Sequence, residues 1–320
     1  MPRRRHRTGW LRMGSLAAFT VVFVGFAIAA PGFLVVGNIA NVVDQSAILG
    51  VLAFGMTVVI IGGGGDVITG GIDLSLAGNL GLSAAVFAVL SQSGSGDVLA
   101  VVAALASGVA VGFVNAFAVV RLRILPLLAT LAVMNICAGV ELVLTHNMVV
   151  QARSSLLSRL AGDGPFGLPV LAYLLLAIAF VLVLAVQCSP TGLRLYAVGG
   201  HREAARAAGL AVERHVGGSY LVSGLCGGIG GVFSAALLNG STPGSGEMLL
   251  SIVVAALLGS VFSRRLVPTI AGTLLAVLFI GFLINGFQLI NVSSYWVSGV
   301  EGVLILFVVG TTSLVRREMS

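Results

Sequence analysis

The side chains of this chain that could do chemistry are few, and most are set in hydrocarbon. Asp73, Ser75 and Asn79 fall together in GIDLSLAGN, and Glu141 and Glu301 each interrupt an apolar run. An ionisable group at the centre of a bilayer costs about 2.5–3.5 kcal/mol on insertion scales, so such groups usually face a cavity or a partner. Asp73 has a second reading, compatible with the first: its carboxylate can cap the helix that follows, accepting from the amides of Ser75 or Leu76. Glu141 and Glu301 read equally well as hydrogen-bonded structural acids or as path residues. Asn115, Asn135, Asn285 and Gln288 read as hydrogen-bond formers between helices. His146 reads as interfacial, and His201 and His215 as solvated.

Other chemistry is excluded by residue type. The chain has no lysine, so it cannot supply a P-loop lysine and cannot itself be an energy-transducing ATPase. It contains neither an HExxH zinc helix nor a GxSxG nucleophile elbow. Cys137, Cys188 and Cys226 lie in or beside apolar runs without CxxC spacing, which reads as small hydrophobes and not as a disulfide or metal site. No catalytic residue, metal or cofactor is therefore expected in the chain itself.

The elements that must position these residues are membrane helices. The chain is 58% hydrophobic and only 9% charged, whereas a soluble domain carries about 25% charged residues. Its apolar runs have the length a bilayer demands, and they leave no room for a soluble domain. The expected fold is an all-α polytopic transmembrane bundle, residues 1–320 forming a single domain of about ten spans (eight to ten), some broken or re-entrant. The runs cover residues 14–36, 43–61, 72–90, 98–120, 125–145, 168–188, 217–238, 248–262, 268–287 and 295–312. Two are insecure. The glycine run at residues 62–71 cannot easily hold a regular helix before the third, and residues 248–262 are short enough to be re-entrant. The Gly108/Gly112, Gly224/Gly228 and Gly227/Gly231 pairs have the spacing that lets membrane helices approach closely. The first run could be a cleavable signal peptide, but its length favours an uncleaved span with a basic cytosolic tail at residues 1–13. With that orientation, all seventeen arginines except Arg153 and Arg159 fall on the cytosolic side, and both termini are cytosolic. The net charge of +6 thus reports topology and not nucleic-acid binding.

One long polar island, residues 192–214, cannot sit in a bilayer. It carries Arg194, Arg202, Arg206 and Arg214 with Glu203 and Glu213. Gly199 and Gly200 open, and Gly209 closes, an alanine-rich stretch of strong helix propensity. This predicts a short cytosolic helix held parallel to the membrane.

Three stretches in order, ITGGIDLSLAG (68–78), YAVGGHREAARAAGL (196–210) and GTLLAVLFIGFLINGFQLINVSSYW (272–296), resemble the membrane subunit of bacterial ABC importers for ribose and related monosaccharides. The resemblance implies a permease in the bacterial inner membrane, paired with a second permease subunit, identical or similar. It also implies cytosolic ATPase subunits that bind ATP and Mg, and an extracytoplasmic solute-binding protein. It makes Gly199, Gly200, His201, Arg202, Glu203, Ala204, Ala205, Arg206 and Gly209 the ATPase-coupling segment. Asp73, Ser75, Asn79, Phe87, Asn285, Gln288 and Tyr295 become translocation-path candidates. The chain departs from the family pattern in an extra stretch at residues 61–67, in SVFSRRLVP (260–268) where a glycine-rich loop is usual, and in Ala138 and Glu301 at positions usually basic. The alternative reading is an ion- or proton-coupled secondary transporter or channel built on Asp73, Glu141 or Glu301.

Overall fold

A computed structural model of the protein describes residues 19–64, 70–244, 248–263, 267–292, 296, 299–300 and 302–303. Within them, twelve helices in order are α1 (Phe19–Ala29), α2 (Val36–Gly63), α3 (Ser75–Gln92), α4 (Asp97–Ala116), α5 (Pro126–Thr145), α6 (Ser155–Leu160), α7 (Val170–Leu182), α8 (Pro190–Gly200), α9 (Arg202–Ala207), α10 (Val212–Leu238), α11 (Leu249–Val261) and α12 (Ile270–Leu289). Both α4 and α7 continue into a single π turn, at Phe117–Arg121 and Val183–Gln187. The described strands are two-residue pieces, β1 (Val150–Gln151) and β2 (Gly240–Ser241), paired antiparallel.

Seven helices are long and apolar enough to cross a membrane: α2, α3, α4 and α7 with their π turns, α5, α10 and α12. The fold is thus helical, as expected, and three of the ten expected spans differ from a full crossing or lie outside the described residues. The run at 14–36 is broken, because α1 stops at Ala29 and α2 starts afresh at Val36. Between them Pro31 brings no amide proton to a helix ladder and Gly32 takes φ +87. The run at 248–262 forms the 13-residue α11, about 20 Å long and short of a 30 Å hydrocarbon core. The run at 295–312 lies almost wholly outside the described residues, as do the basic tail and residues 65–67 of the extra stretch, whose first three residues complete α2.

Helix α2 is the axis of the molecule, about 42 Å long and buried without a break from Ser46 to Gly63. Around it pack α10, α12, α7, α11 and α8, joining Leu52, Phe54 and Met56 to Leu76, Leu171, Leu175, Ile252, Val277 and Ile280 in one core. A second seam is built from glycine. A Cβ at Gly108 would stand 2.6 Å from the Gly224 carbonyl oxygen, and one at Gly112 would be 3.1 Å from Gly224 Cα. Helices α4 and α10 therefore touch backbone to backbone, which is the close approach that the spacing of these glycines predicts.

Contacts fix the direction of each helix. Gly63 ends α2 beside Gly199 and Arg202, at what is here termed the α9 end. Asp97, Ser155 and the β1–β2 pair mark the opposite, β end. The spans α2, α3, α4, α5, α7 and α10 then alternate in direction, and α12 runs the same way as α10, towards the β end. Helix α1 runs towards the β end, since Phe19 meets Phe279 midway along α12 and Phe26 meets Phe287 near its finish. Helix α11 runs towards the α9 end, where Gly259 packs on Thr273 at the start of α12.

Candidate functional site

The first site is a polar junction inside the bundle. After α2 ends, the chain folds back, and Gly71 lies against the Val59 carbonyl with no room for a side chain. This places the Asp73 amide 3.4 Å from Met56 Sδ, two turns and about 10 Å in from Gly63. The third run thus starts outside any regular element, and regular helix begins only at Ser75. Asp73 Oδ1 accepts from the Ser75 amide at 3.0 Å and from Ser75 Oγ at 2.6 Å, which satisfies the expected role at the helix start. It also binds two other helices. Ser223 Oγ of α10 donates to Oδ2 at 2.6 Å, and Asn115 Nδ2 of α4 donates to Oδ1 at 3.3 Å and to Ser75 Oγ at 2.7 Å. On the α5 side, Thr130 Oγ1 accepts from the Leu74 amide at 3.1 Å.

Asn79 continues the junction one turn on. Its amide donates to the carbonyls of Gly108 at 3.3 Å and Gly224 at 3.1 Å, the oxygens that line the glycine seam. Asp73, Ser75 and Asn79 are all fully buried. Of the path candidates these three meet, and the others do not join them. Phe87 is buried in a separate cluster with Ala100, Ala104 and Leu157 towards the β end. Asn285 exchanges two hydrogen bonds with Asn38 of α2, at 2.9 and 3.0 Å, and Gln288 is exposed one turn later. Tyr295 lies outside the described residues, as does Glu301. Glu141 is buried on α5.

The second site is the polar island, and its internal boundaries differ from the sequence expectation. Gly199 and Gly200 are the last residues of α8, not the start of the short helix. The break falls at His201, whose extended backbone starts α9 and whose Nδ1 accepts from the Ala204 amide at 3.1 Å. Helix α9 closes at Ala208 and Gly209, where φ is +81 and glycine carries no Cβ penalty. The two glycines have different tasks. A Cβ at Gly199 would collide with the Ile61 carbonyl oxygen, whereas one at Gly200 would meet nothing within 4 Å.

The island is fastened at three points, to the end of α2, to a cluster of α2, α8 and α10, and to the chain before α12. Arg202 donates to the Gly63 carbonyl at 2.8 Å, placing a cation on a helix C-terminus. Ala205 is buried against Val59, Val198, Val212, Val216 and Tyr220. Tyr196 Oη donates to the Pro268 carbonyl at 2.8 Å, and burial pushes its phenol up to about 12, so it stays a donor. Gly200, Glu203, Ala204, Arg206, Ala207, Ala208 and Gly209 remain exposed. Sequence reasoning missed Ser223 and Thr130 as partners of the junction. The available signal was Ser223's place beside Gly224, since a hydroxyl next to a seam glycine is carried into the interface.

Residues 38–309 match a family described as branched-chain amino acid transport system / permease component. The chain is 34% identical over 301 residues to the ribose import permease protein RbsC of Bacillus subtilis, a match covering 93% of this chain and 91% of the relative. It is 28% identical over 328 residues to the galactose/methyl galactoside import permease protein MglC of Salmonella typhimurium, covering 95% of each. It is 29% identical over 301 residues to the L-arabinose ABC transporter permease protein AraH of Azospirillum brasilense, covering 93% of this chain and 86% of the relative. No solved structure matches it. The match takes in every long apolar helix from α2 to α12, and with them both the buried junction and the island: the chain belongs to this family of transport-system permease components.

Proposed function

We propose that the chain is the membrane subunit of an ATP-driven importer that carries a monosaccharide or similar polyol inward by alternating access. It works beside a second permease subunit and on cytosolic ATPases that hold ATP and Mg, and a binding protein delivers solute to its outer face. The sugar assignment is supported by the ribose, galactose and arabinose permeases among its relatives. The observation that carries the mechanism is the build of α9, bonded to the end of α2 on one side and bare on the other. A push on its exposed face passes through Arg202 and Ala205 into the axial helix.

The α9 end is the cytosolic side in this reading. Arg121, Arg123, Arg194, Arg202, Arg206 and Arg214 gather there, against Arg153 and Arg159 at the β end, in the sense of the positive-inside rule. The direction of α1 supports a cytosolic N-terminus. Counting α1, α11 and a final run after α12 with the seven long helices gives ten alternating passes, with α3 and α11 starting at depth, and brings both termini to the cytosol. Asn135 supports a second subunit. It lies mid-span on the exposed side of α5, opposite the buried Val133 and Cys137, and an amide there is better matched by protein or a watered path than by lipid. Asp73, closed in by α3, α4 and α10, fits a structural junction better than a titrating ion site.

Proteoliposomes containing the chain, the ATPase and the binding protein should take up labelled ribose, galactose or arabinose when loaded with ATP, and a protonophore should not stop them. Uptake by the chain alone on an ion gradient would reject the reading. Gly200→Leu and Glu203→Arg should preserve insertion yet abolish stimulated ATP hydrolysis. Unchanged stimulation in both would remove α9 from the coupling role.

A further inference from the structure

Between α7 and α10, at the α9 end, lies a cavity of about 380 Å³ with no assigned occupant. Its volume is within the range of small-ligand sites. Val58 of α2 forms its floor, Leu182, Ala185 and Val186 one wall, and Leu195 and Val222 others. Nearly all of this lining is apolar. The space exists because α7 and α10 each pack on α2 without closing on one another, and Gly218, which lines it, would have nothing within 4 Å of an added Cβ.

Two features identify what fits. The helices on either side carry exposed apolar side chains, Val181 on α7 with Leu184 in its π turn, and Leu221 and Leu225 on α10, so the cavity continues into the surface that meets hydrocarbon. Towards the α9 end it reaches Arg214 and His215. Arg214 meets no carboxylate among the described residues; the ion pair recorded nearby joins Arg206 to Glu213. His215 Nδ1 donates to the Ala211 carbonyl at 2.8 Å, leaving Nε2 as its other polar atom. An apolar slot with a free arginine at its headgroup-level end matches an amphiphile with a chain and an anionic head.

We propose that this cavity binds an anionic phospholipid, an acyl chain filling the gap between α7 and α10 and the phosphate meeting Arg214. Basic pockets between membrane helices on the cytosolic side attract such headgroups. The bound lipid touches α2, α8 and α10, the three helices that hold α9, so anionic lipid raises coupled ATP hydrolysis; this last effect rests on the coupling reading above, whereas binding does not.

Native mass spectrometry of the full chain, titrated with phosphatidylglycerol or phosphatidylcholine of equal chain length, tests the binding. Phosphatidylglycerol should be retained about fivefold better, the increment expected for one arginine near an anionic surface. Gly218→Leu, which fills the slot, and Arg214→Gln, which removes the headgroup contact and leaves the core intact, should each erase that preference. Gly139→Leu, on an open face of α5, should keep it. Equal retention of the two lipids, a preference surviving both variants, or displacement by soluble glycerol phosphate would each overturn the proposal. If phosphatidylglycerol binds as expected but leaves ATP hydrolysis unchanged, the site stands and only its link to α9 fails.

Discussion

Asp73 gathers four donors from three helices: the amide and hydroxyl of Ser75, Ser223 Oγ and Asn115 Nδ2. Every contact its side chain makes is made as an acceptor. Hydrogen bonds to charged groups contribute roughly 1.5–3 kcal/mol, and stranded buried donors add their own cost. Asp73→Ala should therefore lower the melting temperature in detergent more than Ser223→Ala, which removes one donor and costs about 1–2 kcal/mol. If the two variants melt alike, the junction is not organised around the carboxylate. The pair Arg206–Glu213, at 2.6 Å, offers the contrast. Its side chains are 60% and 56% exposed, so solvent screens it, and replacing both by glutamine should shift stability by less than about 1 kcal/mol. The cap reading of Asp73 was legible in the sequence because it is local. The partners on α4 and α10 were not, because they lie 42 and 150 positions away.

Among the elements, α4 and α10 depend on their own glycines, whereas Gly139 of α5 faces open space. A leucine at Gly108 or Gly224 would drive its Cβ into the facing backbone, with 2.6 Å available at Gly108. Both variants should fail to give a monodisperse peak in fluorescence-detected chromatography, whereas Gly139→Leu, with nothing within 4 Å, should elute as the parent does. The spacing of these glycines predicts that they face a neighbour; it does not say which helix. Helix α9 carries a second prediction. Arg202→Ala removes the bond to the Gly63 carbonyl and should lower coupled ATP hydrolysis by several-fold while insertion is kept, as measured on reconstituted complexes. Arg202→Lys should restore part of it, since a cation on that helix end is retained. The π turns that end α4 and α7 had no sequence signal. An extra residue in a turn is set by the packing on either side of it, and here both flank the island.

For the whole molecule, the alternating directions of the helices and the placement of arginine make one prediction about sidedness. A cysteine at Ser155 should react with an impermeant maleimide on intact cells, and one at Ala207 only after permeabilisation. The reverse pattern would place α9 outside and end the coupling account. What the sequence determined by itself is what depends on composition and on neighbours along the chain: a membrane-embedded helical bundle, its approximate runs, the charge bias of its loops, and one polar segment unable to enter lipid. Transfer free energy acts residue by residue, so it can be read without a fold. Only the tertiary structure decided that the first apolar run breaks at Pro31–Gly32, that Gly199 is a buttress while Gly200 is free, and that Asp73, Asn115 and Ser223 share one junction. Those outcomes turn on which backbone atoms come within a few ångströms across helices distant in sequence, and that distance is a property of packing.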